Sequence, residues 1–210
     1  MNSFPSVIYI ILNHIFIFNT IVVICFILAF KEFAEIVNRF KDKTVWLIFG
    51  LIYIFGSMVS LIYLRNIDSI MSSPFTFLLF AGVMVNDSMA FIVGKTLGGP
   101  KILPKISPKK TYSGLFGGLV GSIIFILLCD NYFLNSFTEF SLNNTDKIFL
   151  IFVFNIVGFF GDTFESMIKR KADVKDSSGL LLGHGGMLDR LDSLILTTPV
   201  TMFYVIAYYL

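Results

Sequence analysis

The chain has little charge and little sulfur. Lys, Arg, Asp and Glu make up only 14% of its 210 residues, and the formal net charge is +2. So small an excess gives no basic surface for nucleic acid. Two cysteines occur, Cys25 and Cys129. Each lies in or at the end of an apolar run, outside any CxxC or other metal-ligand spacing, and reads as a small packing residue. Neither a GxxxxGK[ST] phosphate loop nor a GxGxxG fingerprint is present, so a bound nucleotide is held by neither of those soluble folds. No internal repeat or low-complexity segment is evident.

What the chain has in quantity is apolar length. Hydrophobic residues make up 56%, Phe alone contributes 25, and the mean hydropathy is +0.82. This is the composition of an integral membrane protein. The first apolar run is Val7 to Phe30. It has no Lys or Arg before Lys31 and no small-residue cleavage pattern, so it reads as an anchor. His14 within it reads as an interhelical hydrogen-bonding group rather than a ligand. A polar segment, Lys31 to Lys43, follows. Further spans are expected at Val45–Leu64, Pro74–Gly94, Tyr112–Asp130, Ile148–Gly161 and Leu194–Leu210. Pro74 suits a first helical turn, and Pro199 predicts a kink. The fold class is therefore all-α, with about six transmembrane helices. Gly114, Gly117, Gly118 and Gly121 open the fourth span and would let a neighbouring helix approach closely.

The charges are clumped. Fourteen of the 16 Lys and Arg residues fall in three links: Lys31–Lys43, Lys95–Thr111 and Lys169–Arg190. The positive-inside rule places these links in the cytoplasm, both termini outside, and the polar active site on the cytoplasmic face. Lys95–Thr111 reads as a basic loop broken by Gly98, Gly99, Pro100, Pro104 and Pro108. Asn143-Asn144-Thr145 fits a glycosylation sequon, relevant only in a secretory pathway. Residues 1–44 read as an anchor plus a short cytoplasmic segment, and 45–210 as the functional core.

The densest polar stretch runs from Gly161 to Asp192. Charge of both signs beside membrane spans is costly and marks a functional candidate. Helical spacing puts Asp162, Ser166 and Lys169 on one face, and Asp189 and Asp192 on another. Between them lies Gly183-His184-Gly185-Gly186, a turn in which backbone can approach a ligand. Asp87 sits inside the third span, after Asn86. Carboxylates from three separate spans thus gather near one boundary. Hard oxygen donors suit Mg²⁺. With Lys169 and Lys175 alongside, the pattern fits a site for a metal-bound polyphosphate.

Four blocks here resemble the C-terminal signature of the phosphatidate cytidylyltransferases: Ser166-Met-Ile-Lys169-Arg170, Lys175-Asp176, Gly183-His184-Gly185-Gly186 and Asp189-Arg190-Leu-Asp192-Ser193. The upstream Asn86-Asp87-Ser88 and Ser107-Pro108-Lys109-Lys110-Thr111 segments are also similar to that family, so the resemblance covers roughly Val85 to Ser193, with residues 161–193 as its signature. It implies transfer of the cytidylyl group from CTP to phosphatidate, giving CDP-diacylglycerol and pyrophosphate in phospholipid biosynthesis. It implies catalytic roles for Asp162, Asp189, Lys169 and Lys175, and Mg²⁺ on Asp162, Asp189 and Asp192, with K⁺ as a candidate second cation. Asp87, Ser107, Lys109, Lys110, Thr111, Ser166, Arg170, Asp176, His184 and Arg190 would bind substrate. Family members usually carry more helices before this core, so residues 1–44 receive no role by analogy.

Several of these residues have a second reading. Ser166 either bonds a phosphate or caps backbone. His184 is either a general base or an orienting group for the glycine turn, since the attacking phosphate is already ionised. Arg190 either meets substrate or pairs with Asp192. Lys109 and Lys110 either hold substrate or attract anionic head groups. A related transferase or kinase acting on another lipid phosphate or a polyprenol is the nearest alternative function. A membrane transporter is the alternative from another class, disfavoured because the charges collect at one interface rather than along a pathway. A CDP-alcohol phosphotransferase is excluded by the missing Asp-Gly-x-x-Ala-Arg motif. A homodimer is expected, because six spans give a polar site few helices to shield it.

Overall fold

The structure is a computed structural model, and it describes residues 14–68, 70–134, 140–179 and 185–210. Six helices are long and apolar enough to cross a membrane: α1 (Ile15–Val37), α2 (Lys43–Asn66), α3 (Ser72–Leu97), α4 (Tyr112–Leu134), α5 (Asn144–Lys171) and α6 (Leu188–Tyr209). A small antiparallel hairpin, β1 (Lys101–Leu103) and β2 (Ser107–Thr111), lies between α3 and α4. The chain is an all-α, multi-pass integral membrane protein with one polar end.

Local chemistry sets most of the boundaries. The paired glycines Gly98 (φ 63°) and Gly99 (φ 105°) end α3 in backbone that side-chain-bearing residues rarely adopt. Thr111 then starts α4, its Oγ1 accepting from the Gly114 amide at 3.1 Å. Helix α5 opens with a capping box: Asn143 Oδ1 accepts from the Asp146 amide and Asp146 Oδ2 from the Asn143 amide, both at 2.8 Å. The sequon asparagine thus already serves as a helix cap. A π-helical turn at Val153–Val157 interrupts α5 and carries Asn155.

Helices α3 and α4 form the tightest pair in the bundle. A Cβ on Gly114 would stand 2.8 Å from the Ala90 carbonyl oxygen, and one on Gly118 2.7 Å from Asn86 Oδ1. The glycine face expected on the fourth span is therefore spent on α3 within the same chain. Buried Asn86 accepts from Ser122 Oγ and from Asn155 Nδ2, each at 3.1 Å, and so ties α3, α4 and α5 together.

Three expectations need correction. The first helix does not stop at Phe30 but continues to Val37, carrying Lys31, Glu32 and Glu35 inside it. The reason is Glu32, which is 3% exposed and fully bonded to another part of the chain, so its charge does not end the helix. The part of that first run at residues 7–13 lies outside the described residues. The Lys95–Thr111 loop contains the two-stranded hairpin, held to α5 by Arg170 Nε donating to the Ile106 carbonyl at 3.2 Å. The fifth span does not end at Gly161 but runs on through Lys171.

The polar links gather at one end. Arg39 Nη1 donates to the Ala172 carbonyl at 3.5 Å, and Lys171 Nζ stands over the rings of Phe40 and Trp46 at 4.8 and 4.4 Å. The first, third and fifth links, which hold most of the basic residues, therefore meet at a common end of the bundle.

Candidate active site

At that polar end, α3, β2, α5 and α6 enclose a cavity of about 640 Å³. Asp87, Ser107, Lys109, Lys110, Thr111, Asp162, Asp189, Arg190 and Asp192 all line it. Its remaining wall includes Asn86 and Asn155 and an apolar set: Phe80, Val83, Met84, Phe91 and Leu194. Charge of both signs and apolar surface thus line the same space.

Two basic side chains are locked by α5 and α6. Lys110 reaches from β2 to α5. Its Nζ lies 3.0 Å from Asp162 Oδ2, donates to Thr163 Oγ1 at 2.9 Å, and sits 4.4 Å above the Phe159 ring. Ser166, one turn beyond Asp162, donates to Asp162 Oδ1 at 3.3 Å. It does not line the cavity, and its hydroxyl orients the carboxylate. Lys169 is buried behind the wall, with Nζ 2.6 Å from Asp189 Oδ1 and 2.6 Å from Glu165 Oε2.

Asp189 is densely bonded by the protein. Besides Lys169, its Oδ2 accepts from the Gly186 amide at 2.7 Å, the Ser177 amide at 3.0 Å and Ser177 Oγ at 2.9 Å. A carboxylate has about four lone-pair sites, so few are left for a ligand. Asp192 lines the same cavity one turn on, with its Oδ1 accepting from the Ser193 amide at 2.6 Å. Among the described residues, no three His, Cys, Asp or Glu side chains are already arranged as a metal cage.

Other residues expected at the site lie elsewhere. Thr111 borders the cavity, but its hydroxyl caps α4. Arg170 is exposed and braces the β-hairpin and the Val174 carbonyl. Lys175 and Asp176 are exposed on the link between α5 and α6 and do not line the cavity. His184 and Gly183 lie outside the described residues.

Four partners escaped the sequence analysis as site residues: Glu165, Asn155, Ser177 and Glu32. Glu165 had a signal, since it stands four residues before Lys169 on one helical face. Asn155 is a polar residue inside an apolar span, a flag of the same kind as Asp87. Nothing local marks Ser177 or Glu32, whose contacts are long-range.

The fold and the cavity together define a multi-pass membrane protein with a cavity at its polar end lined by charged and apolar side chains. Residues 45–208 match the Cytidylyltransferase family, and the chain belongs to that family. It is 34% identical over 184 residues to a phosphatidate cytidylyltransferase of Rickettsia bellii, an alignment covering 86% of this chain and 78% of the relative. It is 32% identical over 164 residues to the Bacillus subtilis phosphatidate cytidylyltransferase, covering 77% of this chain but 58% of that one. With the chloroplastic phosphatidate cytidylyltransferase 4 of Arabidopsis thaliana it shares 42% identity over 134 residues, 62% of this chain and 32% of the plant protein. The chain thus spans most of the first of these relatives and a third to somewhat over half of the other two.

Proposed function

We propose that the protein transfers the cytidylyl group from CTP to phosphatidate, giving CDP-diacylglycerol and pyrophosphate. The observation that carries this reading is the cavity in a chain of this family: Asp87, Asp162, Asp192, Lys109, Lys110 and Arg190 line it together with Phe80, Val83, Met84 and Phe91. The polar side chains suit a triphosphate and a lipid phosphate, and the apolar ones suit acyl chains.

The chemistry is phosphoryl-type substitution. A phosphatidate phosphate oxygen forms a bond to the α-phosphorus of CTP, and the bond from that phosphorus to the bridging oxygen of the β-phosphate breaks. The electron pair leaves with pyrophosphate. The nucleophile is already ionised, so the protein supplies orientation and charge rather than a covalent intermediate. Lys110 and Arg190 offset the charge of the phosphates, and Lys109 stands at the same wall. Lys169 acts from behind, fixing Asp189 and through it the start of α6.

Three carboxylates from three helices line one cavity and have the donor chemistry that Mg²⁺ takes, although among the described residues no three are already arranged as a cage. Asp162 and Asp192 would hold it, with Asp87 lining the same cavity, and the ion would neutralise charge on the phosphate oxygens. Asp189, taken up by Lys169, Ser177 and Gly186, fits an anchoring role better than that of a ligand. A second cation such as K⁺ would share these carboxylates. The polar end faces the cytoplasm in this proposal, supported by the basic links that meet there. Assembly as a homodimer would have to use a face other than Gly114–Gly121, which α3 occupies.

The test is purified protein with CTP, phosphatidate and Mg²⁺. Pyrophosphate release, with cytidine label entering chloroform-soluble lipid, is the expected result. Transfer of the γ-phosphate to a polyprenol or diacylglycerol, with no cytidine in the lipid, would replace this reading with that of a lipid kinase.

A further inference from the structure

Helix α1, the first of the described helices, lies outside the residues matched to the family, yet it sends one side chain to the start of α6. Glu32 is buried, at 3% exposure. Its Oε1 accepts from Ser178 Oγ at 2.6 Å and from the Met187 amide at 3.0 Å. Its Oε2 accepts from Ser177 Oγ at 3.0 Å and from the Leu188 amide at 2.8 Å. Met187, at the N-cap position of α6, makes no side-chain cap. Glu32 supplies that cap from another helix, and its charge lies at the positive end of the α6 dipole.

Asp189 completes the arrangement. The amides of Gly186, Met187 and Leu188 are consecutive, and each is accepted by a carboxylate: Asp189, Glu32 and Glu32 in turn. Ser177 Oγ lies 2.9 Å from Asp189 Oδ2 and 3.0 Å from Glu32 Oε2. The Ser177 hydroxyl, with its single hydrogen, stands between the two carboxylates and so links them. A Cβ on Gly186 would overlap both Ser177 Oγ and Glu32 Oε2, which leaves room only for glycine there.

We propose that Glu32 is a positioning residue for the site: it fixes the start of α6 and Ser177, and through them holds Asp189 in the cavity wall and Lys169 behind it. This rests on the cytidylyl-transfer reading for its catalytic consequence, and on the contacts alone for its structural one. It gives the helix before the family core a defined part in the reaction.

Glu32→Gln is the informative change. Glutamine keeps the size, but its amide nitrogen cannot accept, so one of the two paired sets of donors is left unmet. Glu35→Gln, an exposed neighbour on the same helix, is the control for charge alone. Two measurements are made on detergent-purified full-length protein. The first is hydrogen exchange of the amides at 186–188. In Glu32→Gln these should exchange at least about tenfold faster while the rest of α6 keeps its protection. The second is turnover per folded molecule. Here kcat should fall about 10–100-fold, the range typical of lost supporting contacts around a polar site. KM for CTP should change by less than about threefold, because Glu32 does not reach the cavity.

Unchanged exchange at 186–188 would overturn the proposal whatever the substrate. Faster exchange with unchanged kcat would also overturn it, leaving Glu32 a cap and nothing more. If wild-type protein released no pyrophosphate, the functional reading would fall, and the exchange result alone would decide whether Glu32 holds α6.

Discussion

Lys169 and Asp189, from the fifth and sixth spans, meet at 2.6 Å, and Glu165 stands at the same distance from the lysine on its other side. All three side chains are largely buried. One cation between two carboxylates couples the last turns of α5 to the start of α6, the two helices that carry most of the acidic cavity wall. The relationship is asymmetric. Removing either carboxylate leaves Lys169 paired with the other, whereas removing Lys169 leaves two buried carboxylates facing each other.

That asymmetry makes a prediction. Asp189→Asn should remain folded and monodisperse, because Glu165 still pairs Lys169. Its turnover should fall by about two to three orders of magnitude, the usual cost of losing a preorganised electrostatic group. Lys169→Met should instead lose about 3–5 kcal/mol of stability, as when a buried pair loses one partner. Thermal unfolding in detergent, beside pyrophosphate release, separates the two. Equal melting of both variants would show that the lysine is not the shared partner.

A second prediction concerns the Asn86 junction. Alanine at Gly118 would bring a Cβ to 2.7 Å from Asn86 Oδ1 and 3.1 Å from Asn155 Nδ2. The asparagines cannot both move without losing the bonds to Ser122 and to the Leu115 carbonyl. Gly118→Ala should cost about 1–3 kcal/mol, the range for overpacking. Gly56→Ala, where a Cβ meets nothing within 4 Å, should leave the melting temperature within a degree or two. A Gly118→Ala protein as stable as wild type would mean that α3 and α4 pack less tightly than described.

Much of this was readable from the chain. Apolar length set the number of spans, and clumped charge located the polar end. Asp87, Asp162, Asp189 and Asp192, which line one cavity, were singled out because a carboxylate in or beside a membrane span is costly. What stayed hidden was how those carboxylates divide their work. Asp189 looks like Asp192 in sequence, and only the approach of Lys169, Ser177 and Gly186 distinguishes them. Glu32 was read only as part of a short polar segment, because its four donors lie about 150 residues away. The hairpin was missed because Pro104 and Pro108 signal a break, and two short strands between prolines carry little alternation of their own.

The orientation of the bundle gives a third prediction. Lys105 lies at the tip of the β-hairpin and is exposed, at the end where the basic links meet. Cysteine placed there, in a chain with Cys25 and Cys129 changed to serine, should react with an impermeant maleimide only after the membrane is opened. Asn144→Cys, at the start of α5 and so at the opposite end, should react in intact cells. The reverse labelling pattern would invert the bundle and put the cavity outside, away from a cytoplasmic nucleotide pool.

The last prediction separates a metal ligand from an anchor. Asp162 holds Lys110 at 3.0 Å and accepts from Ser166 at 3.3 Å, a lighter load than the four donors on Asp189. Asp162 therefore keeps capacity for a cation, and Asp189 has little. Neutralising a true ligand weakens cation binding, so Asp162→Asn should raise the Mg²⁺ concentration for half-maximal turnover by about tenfold or more, with part of the lost rate recovered at high Mg²⁺. Asp189→Asn should lower kcat at every Mg²⁺ concentration and leave the half-saturation point within about twofold, since an anchor acts on geometry rather than on cation affinity. The measurement is a Mg²⁺ titration of pyrophosphate release at saturating CTP and phosphatidate. A large Mg²⁺ shift in Asp189→Asn with none in Asp162→Asn would reverse the two roles. The Lys169 and Ser177 contacts would then describe a state that the cation must break before the site can work.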